Sequence, residues 1–373
     1  MFERLALPMS ILSRYIIRQF LRPLIYALIL FTGIILITEA FEMVNTFITR
    51  DIPLFIIIKY FIFKIPLYLF LVTPLSVLLA TLFSLNELFK RNEITAMKSV
   101  GINLYRIILP VLCMGVLLSI SSLLWNEFVA VRANCKVEEI KRRCIHKIGH
   151  GHKKAHDIHF KTSNKILEVK YFDGGNGWME DVNIFTLKNS SPKQRLNAKR
   201  GEWKQNRWFF YEVEVRGFNE RGEEREVMSF ASIEANIGKS PDEIWEIIEL
   251  QGMKAESLSS IKTISQLKRC IEMLKGSGCE VKDKLVELYF KVSFPFCCLI
   301  MAFFSAPLAL QGFGRGRAAS FGLSILIGFI YWGVMAIGRS LGKNGILPPL
   351  LSSWLGNITF FAVGIILMIK SKK

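Results

Sequence analysis

Six stretches without a single charged residue constrain this chain more than anything else in it: Pro23 to Thr38, Ile65 to Leu85, Ile107 to Trp125, Val292 to Leu310, Ala318 to Gly338 and Ile346 to Ile369. A helix needs roughly 17 to 25 apolar residues to cross about 30 Å of hydrocarbon. Most of the stretches supply that length, and the first does so by borrowing interfacial residues on both sides. Hydrocarbon offers no water to the backbone, so each stretch must satisfy its own N–H and C=O groups and is expected as a helix. Apolar residues make up 51% of the chain, above the usual share of a soluble domain. The expectation is a polytopic α-helical membrane protein with six spans.

The net charge of +17 divides unevenly. Between Arg132 and Lys291 there are 30 Lys/Arg against 24 Asp/Glu, or +6, which leaves 18 against 7, or +11, for the membrane part. That excess alternates from loop to loop. Arg4, Arg14, Arg18, Arg22, Lys90, Arg91, Lys98, Arg106, Arg315, Arg317, Lys370, Lys372 and Lys373 fall on one side; Arg50, Lys59, Arg339 and Lys343 fall on the other. The positive-inside rule then puts both termini in the cytosol. Topology accounts for the basic balance, which argues against a nucleic-acid partner. Arg14, Arg18 and Arg22 also interrupt any short apolar core of a cleavable signal peptide. Beside Ile17, Phe20 and Leu21 they predict an interfacial anchor leading into span one.

The third span runs outward, so residues 132–284 form an insert on the outer side, between membrane halves 1–131 and 285–373. Its middle, about 155–238, reads as strands: KILEVKYFD, WMEDVNIFTL, QRLNAKRGEWK, RWFFYEVEVRGF and REVMSFASIEANI. Phe210, Glu212, Glu214 and Arg216 alternate with Tyr211, Val213 and Val215, and GGNG and NERGEE supply turns. Short strands with no helix between them predict a β-sandwich or jelly roll. Helices return at SPDEIWEIIEL, where Ser240, Pro241 and Glu243 make a capping box. A second helix follows, with Ile261, Ile264, Leu267, Ile271 and Leu274 on one face up to Gly276.

Little in the chain suggests catalysis. GRSLGKN lacks the spacing and the Ser or Thr of a nucleotide-phosphate loop, and GFGRGRAASFG has no preceding strand. Any ATP must therefore be hydrolysed by another subunit. All five histidines, His146, His150, His152, His156 and His159, lie in HKIGHGHKKAHDIH. Imidazoles so dense can ligate zinc or copper; Lys147, Lys153 and Lys154 disfavour a cation, and a solvated linker entering the first strand is the other reading. Cys135, Cys144, Cys270 and Cys279 lie where one or two disulfides are permitted. Glu39, Glu42 and Glu127, near outer span ends, must meet water, a cation or a partner.

Between spans two and three comes NELFKRNEITAMKSVG, Asn86 to Gly101. Glu87 and Arg91, four apart, extend the second helix. Asn92 reads as a cap, Glu93 sits in the first turn, Lys98 in the last, and Gly101 ends a short helix at about 92–100. Ile94 and Met97 fall on one face and are expected to project from the loop tip as a docking knob for a cytosolic subunit.

NEITAMKSVGINLYRI, together with NEFVAV, LKRCIEMLKGSGCEVKDKLVELYFK, KVSFPFCCLIMAFFSAPLAL and LGKNGILPPLLSSWLGN in order, resembles the LptF/LptG permease family of the lipopolysaccharide exporter over nearly the whole chain. Segment KIPLYLFLVTPLSVLLATLFSLNELFKRNE, with Pro66 and Pro74, is closer to the G-type member. The resemblance implies an inserted periplasmic β-jelly roll in an inner-membrane permease that is not itself an enzyme. It implies a paralogous permease as partner, a cytosolic LptB-type ATPase dimer that uses ATP and Mg, LptC/LptA-type jelly-roll proteins, and lipopolysaccharide as substrate. No cofactor is expected on this chain.

In that family Glu93, Ala96, Met97 and Gly101 match the coupling-helix motif, and Arg91, Ile94 and Lys98 lie beside them. Spans one and five would act as lateral gates, which singles out Phe31, Glu39 and Glu42 on one and Phe321, Ile325 and Phe329 on the other. Drawing acyl chains into water costs about 0.8 kcal/mol per CH₂, so extraction requires an apolar path and an external energy source. Two other readings stand beside this one: a permease for another lipid such as lipoprotein, and a membrane-anchored periplasmic metal-binding protein.

Overall fold

The computed structural model describes residues 11–145, 153–162, 164–188, 191–218, 224–311 and 316–370. The chain divides into two compact units, one comprising Met1–Ile145, Ser259–Ile264 and Leu285–Lys373, the other His146–Leu258 and Ser265–Lys284.

The membrane unit begins with α1 (Ile11–Thr49), α2 (Leu54–Lys90), the short α3 (Glu93–Ser99) and α4 (Leu104–Trp125). A π-helical turn, Asn126–Ala130, joins α4 to α5 (Val131–Ile140), and a second, Lys141–Ile145, carries the same rod onward. Residues 132–145 therefore prolong the third helix. Beyond the insert, α9 (Lys282–Ser293), a 3₁₀ turn at Phe294–Phe296, α10 (Cys297–Leu310), α11 (Arg317–Lys343) and α12 (Pro349–Lys370) complete the unit.

Six helices among the described residues are long and apolar enough to span a membrane, one for each charge-free stretch. The first five are longer than their stretches, and the sixth, at 22 residues, begins three residues inside its own. At 39 residues, α1 measures roughly 58 Å, so it passes well beyond the hydrocarbon. Its N-terminal part, where an interfacial anchor was expected, is helical and continuous with span one. The second and fourth spans are 61% and 67% buried, against 28–39% for the others, which makes them the inner layer and leaves the rest facing outward. Leu78, Leu82, Leu85, Met301 and Ala302 fill the centre. The helices α11 and α12 meet through small residues: a Cβ on Gly338 would lie 2.6 Å from the Ser352 carbonyl oxygen.

The other unit holds six strands, β1 (Lys154–Thr162), β2 (Lys165–Asp173), β3 (Trp178–Lys188), β4 (Ser191–Lys204), β5 (Arg207–Phe218) and β6 (Glu224–Glu234), in one antiparallel sheet ordered β1-β2-β3-β4-β5-β6. It is the inserted β domain that the turns and alternation predict, as a meander in a single hydrogen-bonded sheet. The strand β1 was hidden in sequence by its histidines. Next come α6 (Pro241–Gly252), α7 (Ala255–Ile261) and α8 (Ile264–Gly276). The Ser240/Glu243 capping box forms with both of its hydrogen bonds. Where one helix was expected through Ile261 and Ile264, two are found, α7 and α8, broken at Lys262 and Thr263.

One irregularity crosses the sheet. Asp157, Asp181 and Glu212, on β1, β3 and β5, have φ of +51°, +47° and +51°. The registers align them in a single row with Lys170 of β2 and Lys199 of β4, flanked by the pairs Ile158↔Val169 and His156↔Tyr171 at one end and Val213↔Ala198 and Tyr211↔Arg200 at the other. Lys170 pairs with Asp181 at 3.5 Å and Lys199 with Glu212 at 2.5 Å.

A left-handed residue turns two consecutive side chains to the same side, so the inward parity switches across the row. Val182 gives way to Met179 and Val213 to Phe210. Simple alternation, which set Phe210 with Glu212 and against Val213, is corrected here: Phe210, Val213 and Val215 all lie inside. Glu212→Val is expected to destabilise β5 by about 1–2 kcal/mol, because a β-branched residue resists the left-handed region, whereas Glu212→Gly stays near neutral. Hydrogen exchange of the β5 amides in the full-length chain measures the difference, and equal protection in the two variants contradicts it.

Candidate functional site

The short helix α3 hangs between α2 and α4. Asn92 makes the joint in a left-handed conformation, φ +58°, which Asn tolerates better than most residues. Its N–H donates to the Phe89 carbonyl, closing α2, and its own carbonyl accepts from the Ala96 N–H, opening α3. Arg91 holds Glu87 at 3.0 Å, as their spacing predicts. Gly101, at φ +83°, lets the chain turn out of α3 toward α4. Glu93 accepts a hydrogen bond from the Tyr15 hydroxyl at 3.1 Å, which ties the first turn of α3 to α1.

The expected docking knob points the other way. Ile94 is 1% exposed within the core of the bundle, and Met97 packs against the same cluster. On a helix this short, two apolar side chains three apart lie over the apolar ends of the neighbouring helices and bury there rather than face water. What α3 presents outward is Thr95, Ala96, Ser99 and, just beyond it, Val100, which is 81% exposed. Lys98 lies on α3 in its last turn.

Of the residues assigned to a lipid path, the structure brings Phe31 and Phe321 together, stacked with centroids 6.4 Å apart between α1 and α11. Ile325 is half-buried, while Phe329 and Glu42 face outward. Glu39 faces a cation inside the bundle: Lys64 lies 3.3 Å away, the Tyr60 hydroxyl donates to Glu39 at 2.6 Å and the Tyr68 hydroxyl donates to its other oxygen. Lys64 also lies over both tyrosine rings. This cluster clamps α1 to α2, and sequence reading missed three of its four members. The available signal was Lys64 itself, a charge abutting the start of an apolar stretch.

Glu127, on the first π turn, is engaged as well. It accepts from the Ile264 N–H at 2.8 Å and lies 4.0 Å from Lys291. Lys291, 4% exposed, donates to the carbonyls of Ser259 and Lys262. The α7–α8 elbow is therefore held at both ends, which explains why the expected single helix breaks there.

His156 and His159 stand on β1, with His156 edge-on to Tyr171 and His159 3.9 Å from Glu168. His146, His150 and His152 lie outside the described residues, as does 312–315 of the glycine-rich loop. No group of three or more metal-ligating side chains occurs among the described residues. The seven cysteines are all free thiols, so the bridges considered for Cys135, Cys144, Cys270 and Cys279 do not form.

Six helices long and apolar enough to span a membrane, a short helix docked against their ends and a β domain inserted between the third and fourth define the class as a multi-pass membrane protein with an inserted β domain. The chain belongs to the LptF/LptG family: the profile described as lipopolysaccharide export system permease LptF/LptG matches residues 14–370. A search of curated proteins finds no match.

Proposed function

We propose that this chain is one half of a heterodimeric permease that extracts lipopolysaccharide from the inner membrane and passes it to a periplasmic bridge of jelly-roll proteins of the LptC/LptA type. The observation that carries this reading is the continuity of the family match, which runs through both membrane halves and the insert. Energy comes from ATP and Mg used by a separate cytosolic LptB-type dimer. The outward face of α3, with Ala96 and Val100, seats on that dimer, while Glu93 and Met97 transmit its stroke through Tyr15 and the bundle core. Both termini are cytosolic and the β domain periplasmic. The stretch around Pro66 and Pro74 resembles the G-type half, to which we assign the chain.

The lateral path runs along the outward faces of spans one and five. Photo-crosslinking groups placed at Glu42, Ile325 and Phe329 in the assembled transporter are expected to trap lipopolysaccharide or a shorter lipooligosaccharide when ATP is supplied. A trapped lipoprotein, with no glycolipid, would assign the permease to a different cargo.

A further inference from the structure

A crevice of about 470 Å³ opens between α1, α2 and α11 at the end of the bundle where α1 begins. Its lining is of two kinds. Gln19, Arg22, Lys90 and Arg91 line one part, together with the Glu87 carboxylate that Arg91 holds. Ala27, Leu30, Leu79, Phe83 and Phe321 give it an apolar wall, Phe321 being the ring stacked on Phe31.

Arg91 is engaged by Glu87. Arg22 and Lys90 are exposed and have no ion-pair partner among the described residues. The first turn of α11, starting at Gly316 without a side-chain cap, adds N–H groups at the same end, with Gly316 and Ser320 both on the wall. Cations over an apolar slot, in a volume suited to one small amphiphile, fit a molecule with one anionic head and a hydrocarbon tail. The volume is too small for a lipid with many acyl chains.

We infer that this crevice holds one anionic glycerophospholipid of the cytosolic leaflet, its phosphate between Arg22 and Lys90 and part of one acyl chain along Leu30, Leu79 and Phe321. The leaflet follows from the positive-inside assignment of the α1 start. Such a lipid is a resident wedge between spans one and five and makes their packing depend on the anionic lipid content of the membrane. It is separate from the transported cargo.

Native mass spectrometry of the full-length chain in mild detergent tests this, with phosphatidylglycerol, phosphatidylethanolamine, lipopolysaccharide and inorganic phosphate added separately. One phosphatidylglycerol per chain is the expected retained species, in preference to phosphatidylethanolamine. Arg22→Gln combined with Lys90→Gln is expected to weaken retention on the order of ten- to thirtyfold, at an unchanged melting temperature. Leu30→Trp, which narrows the apolar wall and leaves the charges in place, is expected to weaken it too. Arg14→Gln with Arg18→Gln, outside the crevice, is expected to leave it unchanged.

Undiminished retention in both crevice variants overturns the proposal, as does an equal loss in the Arg14/Arg18 control, which would indicate diffuse surface charge. Preferential retention of lipopolysaccharide would make the crevice part of the cargo path. Full displacement by inorganic phosphate would make it an anion site with no role for the acyl chain. Either result overturns the lipid assignment.

Discussion

Glu93→Lys is expected to lower ATP-driven lipid release by about ten- to a hundredfold, the range of a typical coupling free energy, while the bundle stays folded. Glu93 accepts a hydrogen bond from another helix, from Tyr15 at 3.1 Å. Lysine has donors only, so it cannot accept from the Tyr15 hydroxyl, and it places a positive charge at a helix start that favours negative charge. Glu93→Gln keeps an acceptor at the same reach and is expected to retain most of the activity. Measured lipid release and ATPase rates in the assembled transporter separate the two variants. Full coupling in Glu93→Lys would remove the link between α3 and α1 from the account.

Lys64→Met is expected to destabilise the membrane unit by about 1–3 kcal/mol, the cost of leaving a half-buried carboxylate without its cation. Glu39 would keep the two tyrosine donors but lose the charge 3.3 Å away. Adding Glu39→Gln should recover more than half of that loss, because the amide oxygen still accepts from one tyrosine hydroxyl and the amide N–H can donate to the other, with no charge left unpaired. Thermal unfolding of the four proteins of this cycle, full length in detergent, gives the coupling directly. Additive losses would mean that the pair does not clamp α1 to α2.

The spans were legible because hydrocarbon forbids charge, and each charge-free stretch coincides with one long helix. The termini were harder, since a helix continues past the hydrocarbon wherever its neighbours cover it, as α1 does with Ile16 and Phe20 buried near its start. Local chemistry was equally readable at the Ser240 capping box and at Glu87–Arg91, where the interacting groups lie within one turn. Long-range orientation was not. Helical period set Ile94 and Met97 on one face, but whether that face meets water or the bundle depends on α1, α2 and α4. Strand period broke at the row of Asp157, Asp181 and Glu212, because two Asp and one Glu inside strands are too weak a signal to mark left-handed backbone. The partners of Glu39 and Glu127 lie 25 and 164 positions further along the chain, at Lys64 and Lys291, beyond the reach of any local pattern.

The central claim is that this chain works as half of a lipid-extracting permease driven from outside through α3. Its most direct test is a proteoliposome holding this chain, its paralogous permease and the ATPase dimer, with lipopolysaccharide in the bilayer and a soluble jelly-roll acceptor outside. Lipopolysaccharide should pass to the acceptor only when ATP and Mg are present, and Glu93→Lys should nearly abolish the transfer. Transfer at the same rate without ATP, or none under any condition from a complex that hydrolyses ATP, would contradict the account.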